Sequence, residues 1–135
     1  RSMLKQLQRS AKNSEPFHKP VIVNISSVLS LTNETLPGTS VYAALKAGLL
    51  GFTQSLAAEF KGKVRVNAIL PGLIKETAMG AKVSEKYLLP LVTLEEVCNS
   101  VVGAIQDESM NGQCLIVDDK GEHSLNLKQL PLTCK

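Results

Sequence analysis

The sequence predicts an α/β protein built on a doubly wound parallel sheet. Three observations carry that expectation. Helical and extended segments alternate in the order helix, strand, helix, strand, helix, strand. The run Val21-Ile22-Val23-Asn24-Ile25-Ser26 is β-branched and apolar on both parities, which suits a strand covered on both faces. The intervening helical segments are long enough for the right-handed crossovers that join parallel strands.

Each element has a local cause. Met3 to about Ser14 reads as a helix, with Met3, Leu4, Leu7 and Ala11 on one face and Arg1, Lys5, Arg9 and Lys12 forming a solvated basic stripe. Glu15-Pro16 and Lys19-Pro20 end it, because a residue before proline is pushed into extended backbone. The first strand follows at Val21–Ser26. Ser30 to Thr39 holds Asn33, Pro37 and Gly38 and reads as a loop; Asn33-Glu34-Thr35 within it matches a glycosylation sequon but is read as a turn.

From about Ser40 to Phe60, Val41, Leu45, Leu49, Phe52 and Leu56 recur at helical spacing. Ala43, Ala44, Ala47, Gly48 and Gly51 add a small-residue face that lets another element approach closely. Gly62 ends this helix as a C′ cap. Val64 to Leu70 is a second strand, closed by Pro71-Gly72, and Leu73 to Leu91 is irregular. Thr93 caps a helix whose first turn carries Glu95 and Glu96, where negative charge is favoured, and which continues through Val97, Val101 and Ile105. Asn111-Gly112 is a turn, and Gln113 to Val117 is a third strand.

Composition narrows the function. The chain has 135 residues, 44% hydrophobic and 20% charged, and suits one soluble globular domain. A net charge of +3 is too weak to argue for nucleic acid or an anionic membrane. No apolar run reaches the roughly 18 residues needed to span a bilayer. Cys98, Cys114 and Cys134 show neither CxxC nor His spacing, so free thiols in a reducing compartment are expected and no metal site. The chain opens on Arg1 without a leader pattern, and its start is read as a cut edge.

In an open α/β sheet, ligands gather outside the carboxyl ends of the strands. Ser27 follows the first strand, Tyr42 and Lys46 open the long helix, and Pro71-Gly72 follows the second strand. One helical turn places Tyr42 and Lys46 on the same face. That pairing has chemical content. A phenol ordinarily titrates near pH 10, and an ammonium about 5 Å away favours the phenolate by roughly 3 kcal/mol at an effective dielectric near 20. Ser27 supplies a hydroxyl to hold a substrate oxygen while Tyr42 exchanges a proton with it.

Asn24-Ile25-Ser26-Ser27, Tyr42-Ala43-Ala44-Leu45-Lys46 and Arg65-Val66-Asn67 leading to Pro71-Gly72 resemble the C-terminal half of a short-chain dehydrogenase/reductase. With the Pro37-to-Tyr42 lead-in and Leu73-Ile74-Lys75-Glu76-Thr77, the likeness is greatest to 3-oxoacyl-[acyl-carrier-protein] reductases of the mitochondrial eukaryotic kind, over residues from about 1 to 121. The resemblance implies a Rossmann-like fold and NADPH-dependent reduction of a 3-oxoacyl thioester in fatty acid biosynthesis. It also implies Ser27, Tyr42 and Lys46 as catalytic residues. Tyr42, Lys46, Pro71, Gly72, Ile74 and Thr77 would bind cofactor, and Leu73 to Leu91 would cover the substrate. A homo-oligomer, dimer or tetramer, formed through the first two helices is implied as well, as is a mitochondrial or otherwise cytoplasmic location.

Departures from the family pattern bear on activity. No Thr-Gly-x-x-x-Gly-x-Gly fingerprint is present, and Gly48-x-x-Gly51 lies mid-helix, where it cannot cradle a pyrophosphate. The family's catalytic asparagine would fall just before Arg1; Asn24 lies in a strand and is not it. Residues 1–135 therefore read as a partial domain lacking the N-terminal cofactor-binding half, inactive by itself. A non-catalytic fragment or interaction subunit is one alternative. A reductase of the same family acting on a steroid or small carbonyl compound is the other.

Overall fold

A computed structural model describes residues 19–31, 36–78, 80 and 89–125. The elements are β1 (Val21–Ile25), a 3-10 turn (Val28–Ser30), α1 (Ser40–Glu59), β2 (Arg65–Pro71), β3 (Leu73–Ile74), β4 (Leu91–Val92), α2 (Leu94–Gln106), β5 (Cys114–Asp118) and β6 (Gly121–Ser124). The main sheet has the order β1-β2-β5-β6. β1 and β2 are parallel from Val21↔Arg65 to Ile25↔Ile69, and β2 and β5 are parallel from Ala68↔Cys114 to Pro71↔Val117. The expected helix at Met3–Ser14, the sequon and Cys134 lie outside the described residues.

β2 sits between two parallel partners, and all seven of its residues are buried. Strand alternation then sends its side chains to two separate cores. Ala68 and Leu70 join Cys114 and Ile116 of β5, with Val28 of the 3-10 turn and Leu50 of α1, on one face. Ile69 joins Leu115 and Val117 on the other, against Val97 and Ala104 of α2. A helix on each face of a parallel sheet is the doubly wound arrangement the sequence predicts.

Two polar side chains, the buried Asn67 and the half-buried Asn111, tie the sheet to its connections. Asn67 donates to the Met110 carbonyl at 3.1 Å and accepts from Gln113 N at 3.0 Å. Asn111 accepts from Val66 N and donates to the Ala57 carbonyl, linking β2 to the last turns of α1. Gly112 beside it adopts φ 76, as the Asn-Gly turn requires.

Several expectations are corrected. Leu73 to Leu91 is not wholly irregular: β3 and β4 pair in parallel, Leu73↔Leu91 and Ile74↔Val92. An unforeseen β6 returns antiparallel to β5 through a turn at Asp118–Gly121, because Gly121 takes φ 98 where the next strand begins. Gly62 (φ 83) falls two residues past the C-cap Phe60, one later than a C′ cap. β1 is half-buried, not covered on both faces among the described residues.

The largest difference concerns α1. Its buried residues are Leu50, Thr53 and Ala57, while Val41 and Leu45 stand 72% and 69% exposed and Phe52 is 51% exposed. Ala44, Ala47, Gly48 and Gly51 are exposed too. Helical spacing found the stripe, but the sheet takes the neighbouring face.

Candidate active site

β1 stops at Ile25, and its backbone turns into the 3-10 segment that Ser27 caps by accepting from Leu29 N at 3.2 Å. Ser30 closes the turn, donating its hydroxyl to the Ser27 carbonyl at 2.6 Å. α1 begins after Thr39, whose hydroxyl donates to the Leu36 carbonyl, and its second turn faces the end of β1. β2 ends at Pro71 on the same rim, because the parallel register sets Ile25 beside Ile69. Three chain segments therefore meet at one edge of the sheet.

A cleft of about 560 Å³ opens there. Ser27, Tyr42, Lys46, Pro71, Gly72, Ile74 and Thr77 all line it. Every sequence-predicted site residue thus falls in one cavity. Ser26 also lines the cleft, one residue past the end of β1. Asn24, still within β1, instead donates its side-chain amide to the Thr53 hydroxyl of α1 at 2.9 Å.

Tyr42 is 39% exposed, with its ring below the Lys46 ammonium, 5.5 Å from Nζ to the ring centroid. Lys46 Nζ donates to the Ile25 carbonyl at 2.8 Å. The ammonium is therefore fixed to the strand end and does not swing free. The Ser27 hydroxyl accepts from Leu29 N, and among the described residues nothing takes its own hydrogen, which stays available to a ligand oxygen. Lys46 is the one ionised side chain among the lining residues.

The segment after β2 is held from behind. Gly72 N donates to the Val117 carbonyl at 2.8 Å and Leu73 N to the Pro90 carbonyl at 2.7 Å. A Cβ on Gly72 would run into the Pro90 carbonyl oxygen, so only glycine fits between Pro71 and β4. Thr77 spends its hydroxyl locally, donating to the Ile74 carbonyl at 2.8 Å and accepting from Gly80 N at 3.0 Å. Glu76 accepts from Leu94 N, which anchors this segment to the N-terminus of α2.

Sequence reasoning missed the apolar wall formed by Leu29, Leu36 and Leu89, each half-buried against the cleft. Their only signal was proximity to Ser27, Tyr42 and the Pro71 loop. It also missed that Ser26 donates to the Lys46 carbonyl.

The profile of the short chain dehydrogenase family matches residues 4–88, a stretch that includes the serine, the tyrosine and the lysine of this cleft. The chain belongs to that family. Family membership accounts for the Rossmann-like fold. Among curated relatives, carbonyl reductase family member 4 of Danio rerio is 38% identical over 108 residues, 75% of this chain and 44% of its own length. The 3-oxoacyl-[acyl-carrier-protein] reductase of Homo sapiens is 36% identical over 104 residues, 72% of this chain and 43% of its own. The chain thus spans less than half the length of these relatives.

Solved short-chain dehydrogenases share the fold. Acetoin dehydrogenase YohF from Salmonella typhimurium superposes with a TM-score of 0.63 at 30% identity, over 87% of this chain and 44% of that one. A short chain dehydrogenase from Burkholderia cenocepacia in complex with NADP gives 0.60 at 25% identity, over 87% and 52%.

Proposed function

We propose that the protein carrying this sequence reduces a 3-oxoacyl thioester to its 3-hydroxyacyl form with NADPH, as a step of fatty acid biosynthesis. The observation that carries the reading is the convergence of Ser27, Tyr42 and Lys46 on one apolar cleft at the strand ends. Relatives bearing the name 3-oxoacyl-[acyl-carrier-protein] reductase support the choice of substrate.

The residues present fit the nicotinamide–ribose end of the cofactor. Lys46 offers hydrogen-bond donors to ribose hydroxyls, and Pro71, Gly72, Ile74 and Thr77 form the adjoining wall. The chemistry that a reduced nicotinamide held by these residues would supply is hydride for the substrate carbonyl carbon. The Tyr42 phenol donates the proton to the carbonyl oxygen, and the Ser27 hydroxyl holds that oxygen by a hydrogen bond. Lys46 stabilises the phenolate that proton loss leaves behind. Leu29, Leu36 and Leu89 exclude water from the reacting carbonyl.

No Gly-rich phosphate loop occurs in the 135 residues, so by themselves they are proposed not to turn over substrate. The exposed row Val41, Leu45 and Phe52 on α1 is proposed as a contact between copies in a dimer or tetramer. A mitochondrial location belongs to the same reading.

The test is NADPH oxidation by the full-length protein with a 3-oxoacyl thioester. Tyr42→Phe is expected to abolish turnover; unchanged reduction by Tyr42→Phe overturns the reading. The name carbonyl reductase family member 4 favours a second reading, a small carbonyl substrate in the same cleft. A higher kcat/KM for such a compound than for the thioester would select it.

A further inference from the structure

We propose that Ser26 is a positioning residue for the Tyr42–Lys46 pair, its hydroxyl fastening the Lys46 turn of α1 to the carboxyl end of β1. The proposal rests on the reading that this pair handles the proton.

Two hydrogen bonds cross between strand and helix in opposite directions, and both end at residue 46. Ser26 Oγ donates to the Lys46 carbonyl at 2.8 Å, and Lys46 Nζ donates back to the Ile25 carbonyl at 2.8 Å. Ser26 is itself fixed, because its N–H donates to the Ile69 carbonyl of β2 at 2.7 Å. The clasp therefore ties α1 to the two strands whose ends form the cleft. Residue 46 is gripped by its backbone and by its ammonium, which sets both the height of that turn above the sheet and its rotation about the helix axis. Tyr42, one turn earlier, inherits that placement. Its ring lies 5.5 Å from Lys46 Nζ.

Ser26 is only 3% exposed, so bulk water cannot readily replace its hydroxyl. α1 does not depend on it for its own ladder, since the Lys46 carbonyl also has its place in the helical i to i+4 pattern. Deleting the hydroxyl thus loosens the placement of the turn without unwinding it. Ser27 cannot substitute, because its oxygen is turned to Leu29 N and the cleft.

The experiment compares Ser26→Ala and Ser26→Thr in the full-length protein by two readouts. Trace acetylation in the absence of cofactor, mapped by mass spectrometry, reports Lys46 reactivity relative to Lys61 and Lys63. Ser26→Ala is expected to raise Lys46 labelling severalfold against those references, a change that loss of global stability would not produce while the protein stays folded. In steady-state turnover, kcat is expected to fall about 10- to 100-fold with KM little changed, the scale of a misplaced catalytic group. Ser26→Thr keeps the hydroxyl and is expected to restore both. Unchanged Lys46 labelling in Ser26→Ala overturns the clasp, and so does raised labelling with unchanged kcat. If the unsubstituted protein reduced no carbonyl compound, the proposed function would fail, and the labelling would still decide the clasp.

Discussion

Replacing Arg65 by methionine tests whether one side chain holds the end of α2 against the sheet. Arg65 opens β2 and is 4% exposed. Its guanidinium donates to four backbone carbonyls: Ile105 at 2.6 Å, Ala104 at 2.8 Å, Asp107 at 2.9 Å and Met110 at 3.3 Å. Ala104 and Ile105 lie in the last turn of α2, where carbonyls have no helical partner. The positive charge also meets the negative end of the helix dipole.

The magnitude follows from what methionine leaves behind. It fills similar volume but takes the guanidinium from the Ala104 and Ile105 carbonyls, while Asp107 still accepts from Met110 N and Met110 from Asn67; each buried carbonyl that loses its partner costs about 1–3 kcal/mol. Those costs overlap because one guanidinium makes all four bonds, and releasing a buried cation to water offsets part of them. A net loss of about 3–5 kcal/mol is expected, against a total stability of roughly 5–15 kcal/mol for a domain. Urea unfolding followed by far-ultraviolet circular dichroism is the assay, since the chain has no Trp to report by fluorescence. With an m-value of about 1–3 kcal/mol per molar, the midpoint should drop by more than about 1 M. Arg65→Lys should lie between, keeping the charge but losing the fork. A loss below about 1 kcal/mol for Arg65→Met would refute the reasoning, because the four bonds would then count for no more than one exposed bond.

Gly72→Ala is expected to destabilise by about 1–3 kcal/mol, since its Cβ would strike the Pro90 carbonyl oxygen; amide exchange at Leu73 and Lys75 should quicken as the β3–β4 pairing opens. Glu96 is held below its ordinary 4.5, first by the Thr93 amide and then by the Thr93 hydroxyl. A depressed carboxyl stabilises the fold above its unfolded value and loses that contribution as pH falls through the folded one. Acid melts should therefore show a smaller decline below about pH 4.5 for Glu96→Gln than for the unsubstituted protein, and equal slopes would count against the capping box. Burial pushes the Cys114 thiol up, whereas Cys98 is exposed. Iodoacetamide under native conditions should modify Cys98 and spare Cys114 until denaturant is added, as peptide mapping would show.

Much of this was legible in local sequence. Thr93 and Glu96 form the capping box that their spacing permits, with Thr93 N to Glu96 Oε2 at 2.7 Å. β1, β2 and β5 fall within a residue of their expected limits, because β-branched runs bounded by Pro and Gly leave little choice. Tyr42 and Lys46 share a face because any α-helix puts them there. β3, β4 and β6 were not legible: two or four residues carry no periodicity, and each exists only because a partner strand lies alongside.

What the sequence determined by itself was therefore the order of elements, their approximate ends and the residue types available for chemistry, all set by backbone propensity and spacing over a few neighbours. Tertiary structure alone decided which face of α1 meets the sheet, because the Val41–Leu45–Phe52 row and the Leu50–Thr53–Ala57 row are both compatible with a helix. It also decided that Ser26, one residue past the last β1 pair, turns its hydroxyl to α1. Those choices depend on contacts about 20 residues or more apart in sequence, whose geometry is fixed only when the strand ends and helix come together.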